Sequence, residues 1–352
     1  MTGFLIYGSY GYTGRLIAKH AVSIGLRPVL AGRNGNRLKQ QANALGLDHR
    51  CFSLEDTSAL DDALTGVKAV LHCAGPFTNT CLPMVQACLR ARRHYVDISG
   101  DLDGFEQLVA LDDQAKQARI MLLPGAGMDV VPTDCLSAHL GMRFKNATHL
   151  KIFISNVHGG ISRGTARSAV SRMDRPGFIR EAGIITAVPS AWRVLDADFG
   201  KHKRRVVSIG WGDVSTAFYS TGIPNIETYM ALPPTVIRFM RISRILGPLV
   251  TNHFVKKLIN GLVGWVLPPG PSEWQNNEGY TLIIAEISDG NEIHRARLRT
   301  PAPYRLTVLT SVEIMKRILS SDFKPGFQTP SLAYEPDFIM QFPGVTRDDL
   351  IE

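Results

Sequence analysis

The sequence predicts an α/β protein, a doubly wound parallel sheet followed by a second, mixed α/β domain built on an antiparallel sheet. Three observations predict it. Residues 1–140 alternate short apolar runs with helical periodicity, the pattern of strands joined by right-handed helical crossovers. The first of those runs, Phe4–Tyr7, breaks into glycines at a spacing of three, Gly8, Gly11 and Gly14, and then restarts as a helix. From about Lys151 the pattern becomes alternating, and residues 280–287 and 293–299 flank the turn Ser288, Asp289, Gly290, Asn291 as a hairpin.

In the first domain the apolar runs place strands at residues 4–7, 28–31, 49–53, 69–73, 95–98 and 120–123. Helical periodicity fills the gaps at 14–24, 37–45, 57–64, 82–91 and 104–117. In the second, 151–157, 204–209 and 228–232 read as strands, and 162–173 as a helix opened by a glycine-rich turn. A long helix over 304–320 is expected to pack back on the first domain, as part of a returning segment 301–352. The expected organisation is therefore 1–140 with 301–352, and 141–300 in a substrate or dimer role. Whether the chain forms a homodimer is left open.

A glycine turn between a strand and a helix suits a dinucleotide. Gly8 permits the tight turn, Gly11 lets the backbone approach a pyrophosphate, and Gly14 lets the helix sit close on the strand. Helix-initial N–H groups then face the phosphates. Gly8, Ser9, Tyr10, Gly11, Tyr12, Thr13 and Gly14 are thus the first candidate cofactor-binding residues, against the plainer reading of a structural turn. The second strand selects the nucleotide. An NAD-selective unit places an acid roughly 20 residues beyond the glycines to hold the ribose hydroxyls. Here Arg33 stands instead, with Arg37 a helical turn on and Lys39 beyond it. A guanidinium fork matches a 2′-phosphate, so the expected cofactor is NADP(H). The competing reading makes these residues the solvated start of the next helix.

Two further stretches border the same expected site. Cys73, Ala74, Gly75, Pro76 and Phe77 follow the fourth strand, where a small-residue turn lets the chain pass close to the pyrophosphate and nicotinamide ribose. The same residues would also serve a tight strand-to-helix turn for backbone reasons alone. Asp56, after the third strand, is either a partner for the adenine amino group or an N-cap. Asp129 and Thr133, in the glycine-rich turn after the sixth strand, and Asp97, Ser99 and Asp101, after the fifth, are candidates for meeting substrate, with Asp134 read as a helix cap. No catalytic acid–base pair is assignable. There is no Tyr-x-x-x-Lys pair in place, no Gly-x-Ser-x-Gly elbow and no zinc-ligand spacing, so no metal is expected. Hydride transfer does not need a strong protein base, because the nicotinamide carries the hard step.

Composition narrows the partners. The 352 residues suffice for two cored domains. Five cysteines, an odd number without metal-like pairs, read as buried thiols of a reducing compartment, with the cytoplasm the default. The opening strand leaves no room for a secretory signal, and no run approaches the roughly 18 apolar residues of a spanning helix. The net charge of +8 is concentrated. Residues 235–267 hold Arg238, Arg241, Arg244, Lys256 and Lys257 and no acid, interleaved with apolar residues. Without any nucleic-acid module, this basic amphipathic stretch suits a membrane surface or a lipid-bearing substrate, or else a surface helix of its own domain.

With these motifs in hand the chain resembles the saccharopine dehydrogenase-like oxidoreductases, especially the branch of trans-acting enoyl reductases. The resemblance rests on Gly8 to Arg15, Ala31 to Arg33, Cys73 to Phe77, His94 to Gly100, Leu123 to Asp134, Ser162 to Ala166 and Pro325 to Pro330. Position 128 carries Met where relatives often have an aromatic residue. The resemblance implies a nicotinamide-binding domain, a mixed α/β domain and NADP use. It does not imply saccharopine as substrate. The expected function is an NADP(H)-dependent oxidoreductase acting on a carbonyl or enoyl group of a hydrophobic or lipid-linked substrate. The alternative is a non-catalytic NADP-binding redox sensor or scaffold.

Overall fold

The computed structural model describes residues 3–171, 175–200, 203–243, 258, 259, 261, 263, 265 and 267–350. They form two compact units. The first comprises residues 1–131 and 304–335, and the second 132–303 and 336–352. The returning segment is thus shared. Residues 304–335, its long helix included, join the first unit, while the last residues join the second. The reason is a strand, Thr346–Leu350, whose residues pair with those of the hairpin.

In the first unit the order is β1 (Phe4–Tyr7), α1 (Tyr12–Ser23), β2 (Val29–Gly32), α2 (Gly35–Leu45), β3 (His49–Cys51) and α3 (Thr57–Ala63). There follow β4 (Ala69–His72), α4 (Phe77–Ala91), β5 (His94–Asp97), α5 (Leu102–Val109), α6 (Asp112–Ala118) and β6 (Met121–Leu123). A returning helix, Pro303–Leu319, and a short edge strand, Gly326–Phe327, complete it. All seven strands are parallel, in the order Gly326–Phe327, β6, β5, β4, β1, β2, β3. The order reverses between β1 and β4, so a ligand crevice is expected at the carboxyl ends of those two strands.

The elements form because of what they bury. Every residue of β1 and β4 is buried, as a sheet covered on both faces requires. Each of these larger apolar side chains stabilises the fold by about 2 kcal/mol relative to exposure. The helix expected over 104–117 is two helices. Leu108, Leu111 and Ala115 are all buried at helical spacing, but Asp112 and Asp113 open a fresh first turn, where acids complement the helix dipole.

The second unit starts within α7 (Val131–Arg143) and continues through β7 (His149–Val157), α8 (Arg163–Ser171), β8 (Gly177–Glu181), β9 (Ile184–Val188), β10 (Val194–Asp198) and β11 (Lys203–Ser208). Then come α9 (Asp213–Thr221), β12 (Asn225–Ala231), α10 (Pro234–Ser243), α11 (Glu273–Glu278), β13 (Tyr280–Ser288) and β14 (Ile293–Pro301). Its sheet runs β10, β11, β12, β7, β13, β14, Thr346–Leu350, with β8 and β9 attached beside β12. The β7–β12 pair is parallel. The other pairs are antiparallel. The sheet is therefore mixed rather than purely antiparallel. Most of the basic stretch at 235–267 lies outside the described residues.

Candidate nucleotide site

The glycine turn is held from below. The N–H groups of Gly8 and Ser9 both donate to the Ala31 carbonyl, at 2.8 and 3.2 Å, and that of Gly11 donates to the Gly8 carbonyl at 3.0 Å. Gly8 has φ +81°, and a Cβ there would stand 2.8 Å from the Ala74 Cβ. Its glycine thus serves two needs, a left-handed backbone and the close approach of the turn after β4. A Cβ on Gly14 would lie 2.4 Å from the Gly8 carbonyl oxygen, so this glycine sets how closely α1 sits on β1. A Cβ on Gly11 would meet only that same carbonyl, at 3.1 Å. A side chain there would project into the open space above the turn, the space a pyrophosphate needs. Gly11 is the N-cap of α1 and makes no side-chain cap, and the leading N–H groups of an α-helix lack intrahelical partners.

Ser9 and Tyr10 have packing tasks. Ser9 is buried, donating to Gln41 Oε1 at 2.9 Å while Gln41 returns a hydrogen bond to the Ser9 carbonyl at 3.0 Å. The Tyr10 ring lies against Gly32, where a Cβ would come within 2.5 Å of it. Its hydroxyl accepts from the Arg33 N–H at 3.2 Å. The Arg37 guanidinium lies over the same ring, 4.7 Å from the centroid, and donates to the Tyr10 carbonyl at 3.3 Å. Asn34 caps α2 by accepting from the Arg37 N–H at 3.0 Å. Arg33 and Arg37 are thereby held on one turn at the end of β2, both exposed, with no carboxylate among residues 29–37.

After β4 the chain turns through a cis Gly75–Pro76 peptide. The Thr80 hydroxyl braces the turn, donating to the Ala74 carbonyl at 2.7 Å. With its one proton used there, Thr80 Oγ1 accepts from His72 Nε2–H at 2.9 Å. His72 is fully buried, and its Nδ1 meets no hydrogen-bond partner among the described residues. Burial pulls its pKa down from 6.5 to about 3, so the ring is neutral. It stacks on Tyr7 with centroids 5.5 Å apart and meets Phe77 edge-on at 5.5 Å. The Cys73 thiol is pushed far up, first by burial and then by the nearby Asp97 carboxyl, and stays protonated.

Other candidates are occupied with structure. Asp56 is exposed and caps α3, accepting from the Ala59 N–H at 3.0 Å and the Ser58 hydroxyl at 2.8 Å. These bonds lower its pKa. Asp97 is buried and ties β5 to the turn after β6. Its Oδ1 accepts from the Ser99 N–H, the Ser99 hydroxyl and the Gly125 N–H at 2.9, 2.8 and 2.9 Å, and its Oδ2 from the Tyr95 hydroxyl at 2.8 Å. Burial raises its pKa while these donors oppose the rise. Asp134 is not a cap. It lies inside the first turn of α7, fully buried, and accepts from the Ser220 hydroxyl. Thr133 is buried as well. Among the described residues no cluster of His, Cys, Asp or Glu could hold a metal.

Sequence reasoning missed Tyr304. It sits in the first turn of the returning helix, its ring edge-on to Tyr12 with centroids 5.0 Å apart. One turn on, Thr307 Oγ1 accepts from the Met128 N–H at 3.0 Å. A Cβ on Gly127 would come within 2.8 Å of the Thr307 side chain. Gly125, Ala126 and Gly127 signalled a close approach, but nothing local named the distant helix that makes it.

The fold and this turn define a dinucleotide-binding α/β protein of the Rossmann type. Residues 4–123 match the family model of the saccharopine dehydrogenase NADP-binding domain. A trans-acting enoyl reductase of Mycobacterium leprae is 34% identical over 140 residues, covering 37% of this chain and 33% of that protein. A probable mitochondrial saccharopine dehydrogenase-like oxidoreductase of Arabidopsis thaliana is 29% identical over 157 residues, covering 40% and 34%. The chain thus spans about a third of the length of the curated relatives it matches. Among solved structures, an apo saccharopine dehydrogenase (L-Glu forming) from Saccharomyces cerevisiae aligns over 100% of both chains, with a TM-score of 0.67 and 10% identity. At that identity the likeness is one of fold.

Proposed function

We propose that this protein is an NADP(H)-dependent oxidoreductase acting on a carbonyl or enoyl group of a hydrophobic or lipid-linked substrate. The observation that carries the reading is the pairing, at one switch point, of a glycine turn open above Gly11 with Arg33 and Arg37 at the end of β2. The two guanidiniums would take the 2′-phosphate of the adenosine half. The residues from Gly11 to Gly14 would take the pyrophosphate at the α1 N-terminus. Ala74 to Phe77 would border the nicotinamide ribose. Gly8, Ser9 and Tyr10 shape this site through the packing described above, and Cys73 contributes its small size. Asp56, already a cap, is the weakest member of the set. When bound, NADPH supplies the hydride, and the protein's part is to orient it.

The test is a pair of titrations with NADPH and NADH. Arg33→Ala should weaken NADPH roughly 10- to 100-fold, the worth of a charge-assisted pair, and NADH less than threefold. Equal losses for both would remove the phosphate assignment. Steady NADPH oxidation with a lipid-linked enoyl or carbonyl compound would separate an enzyme from a sensor that binds without turnover.

The lipid half of the proposal has its own support. No helix among the described residues is long and apolar enough to cross a membrane. On α10, Ile237 is buried, while Val236, Phe239 and Ile242 are 40, 49 and 44% exposed beside exposed Arg238 and Arg241. Apolar side chains flanked by cations suit an anionic lipid surface. Protein mixed with phosphatidylserine vesicles at low salt should float with them, and Phe239→Ser with Ile242→Ser should not. Wild-type protein left at the bottom of the gradient would end that part of the reading.

A further inference from the structure

The returning helix has a place in the nucleotide site that its sequence position hides. It begins at Pro303, 180 residues past β6 by numbering (303 − 123), yet its first turns are fastened to the turn after β6. Thr307 Oγ1 accepts from the Met128 N–H, and the Thr310 hydroxyl donates to the Ala126 carbonyl at 2.7 Å. Its far end is anchored below the sheet, where Lys68 Nζ donates to the Leu319 carbonyl at 3.0 Å, a cation at a helix C-terminus. Held at both ends, the helix brings Tyr304 to Tyr12, the first residue of α1.

The strand order gives this contact a direction. From β6 the sheet runs through β5 and β4 to β1, and only then to β2. The Tyr12–Tyr304 pair therefore links the glycine turn to the β6 side, whereas Arg33 and Arg37 lie on the β2 side. A dinucleotide laid across the β1–β4 switch with its 2′-phosphate at β2 places its nicotinamide toward β4 and β5.

We propose that Tyr304, edge-on to Tyr12, forms with it the wall of the nicotinamide half of the cofactor site, and that Tyr304 is a positioning residue for Tyr12. The proposal rests on the dinucleotide reading above. Both rings are half-buried, so each has a face or edge left for a ligand. The T-shaped geometry, with ring planes at 90°, is a favoured aromatic arrangement that fixes where the Tyr12 ring stands. The consequence is a split. Removing the Tyr304 ring loosens the nicotinamide half and leaves the adenosine half untouched.

The experiment compares wild type, Tyr304→Ala, Tyr304→Leu and Tyr304→Phe by calorimetric titration with NADPH and with 2′,5′-ADP, which carries the adenosine half alone. Tyr304→Ala and Tyr304→Leu should weaken NADPH roughly 3- to 10-fold, the worth of one aromatic pair. Their 2′,5′-ADP affinity should stay within twofold. Tyr304→Phe, which keeps the ring, should match wild type for both ligands. Leu retains bulk and keeps the test valid if the Ala variant fails to fold. Unchanged NADPH affinity in the Leu variant, or equal loss of both ligands, overturns the proposal. Wild-type protein that binds neither ligand overturns the dinucleotide reading itself, and this inference with it. Wild type that binds both, with variants that do not discriminate, overturns the inference alone.

Discussion

The two units handle polar side chains in opposite ways. The parallel sheet of the first is covered on both faces, and the polar residues in its centre are either neutral or fully hydrogen-bonded. His72 is kept neutral, and Asp97 accepts four hydrogen bonds. The mixed sheet of the second carries charges across its strands in register. Glu286 on β13 lies between Lys151 on β7, at 3.4 Å, and Arg295 on β14, at 2.7 Å, and Glu227 on β12 meets Arg193 at 2.8 Å. One row further along, the Phe153 and Tyr229 rings stack at 5.2 Å. A face that reaches water tolerates ion pairs of small net worth. A face shut from water demands neutrality or complete hydrogen bonding. The centre of the first sheet therefore gains definition from shape and backbone, and this charged row of the second from replaceable contacts.

That contrast can be broken by mutation. The largest effect belongs to Gly14→Ala, which drives a Cβ to 2.4 Å from a backbone oxygen that cannot step aside. The variant should lose about 3 kcal/mol of stability in urea unfolding and most of its NADPH binding. A near-neutral result would mean that α1 can lift off β1, and that the first unit is not shape-determined at its site.

A smaller effect tests the buried histidine. Its folded pKa, about 3, lies below the unfolded value of 6.5, so the unfolded chain takes up a proton that the folded one refuses. Stability is full above pH 6.5 and falls as the pH drops toward 3, by about 1.4 kcal/mol per unit for this group. His94, lowered to about 4 chiefly by burial and also by Lys68 and Arg93, acts in the same sense. In His72→Gln the slope of stability against pH between 6 and 5 should lessen by about one proton. An unchanged slope would show that the ring takes up its proton in the folded state.

The smallest effect is expected from Glu286→Gln in the second unit. With a half-exposed Lys151 and a more sheltered Arg295 as its partners, it should cost about 1 kcal/mol or less, and less still in 1 M salt. A loss several times larger would mean that this face is closed to water, and the two sheets would then be alike.

Legibility in the sequence followed the same division. Phe4–Tyr7 and the glycines after it were readable because a strand buried on both faces must be apolar throughout, and because a left-handed turn packed against Ala74 accepts only glycine. Arg33 was readable as an absence, a cation where an acid usually stands. In the second unit the hairpin around Asp289 was plain from its turn chemistry. Strands β8, β9 and β10 were not, since their half-exposed, mixed residues carry no period that distinguishes them from loop. Asp56 could be read two ways from sequence, and the hydrogen bond from Ala59 shows it as a cap.

By itself the sequence determined the Rossmann-type half of this protein, its glycine turn and the cation at the end of its second strand, because each depends on residues within a few dozen positions of one another. Only the tertiary structure decided that the last strand, Thr346–Leu350, joins the second unit, that Asp97 is a knot and not a free acid, and that Tyr304 stands against Tyr12. Those facts rest on contacts between segments far apart in the chain. No local spacing records such a contact, since the partner is chosen by the surface still left to bury when the sheet has formed.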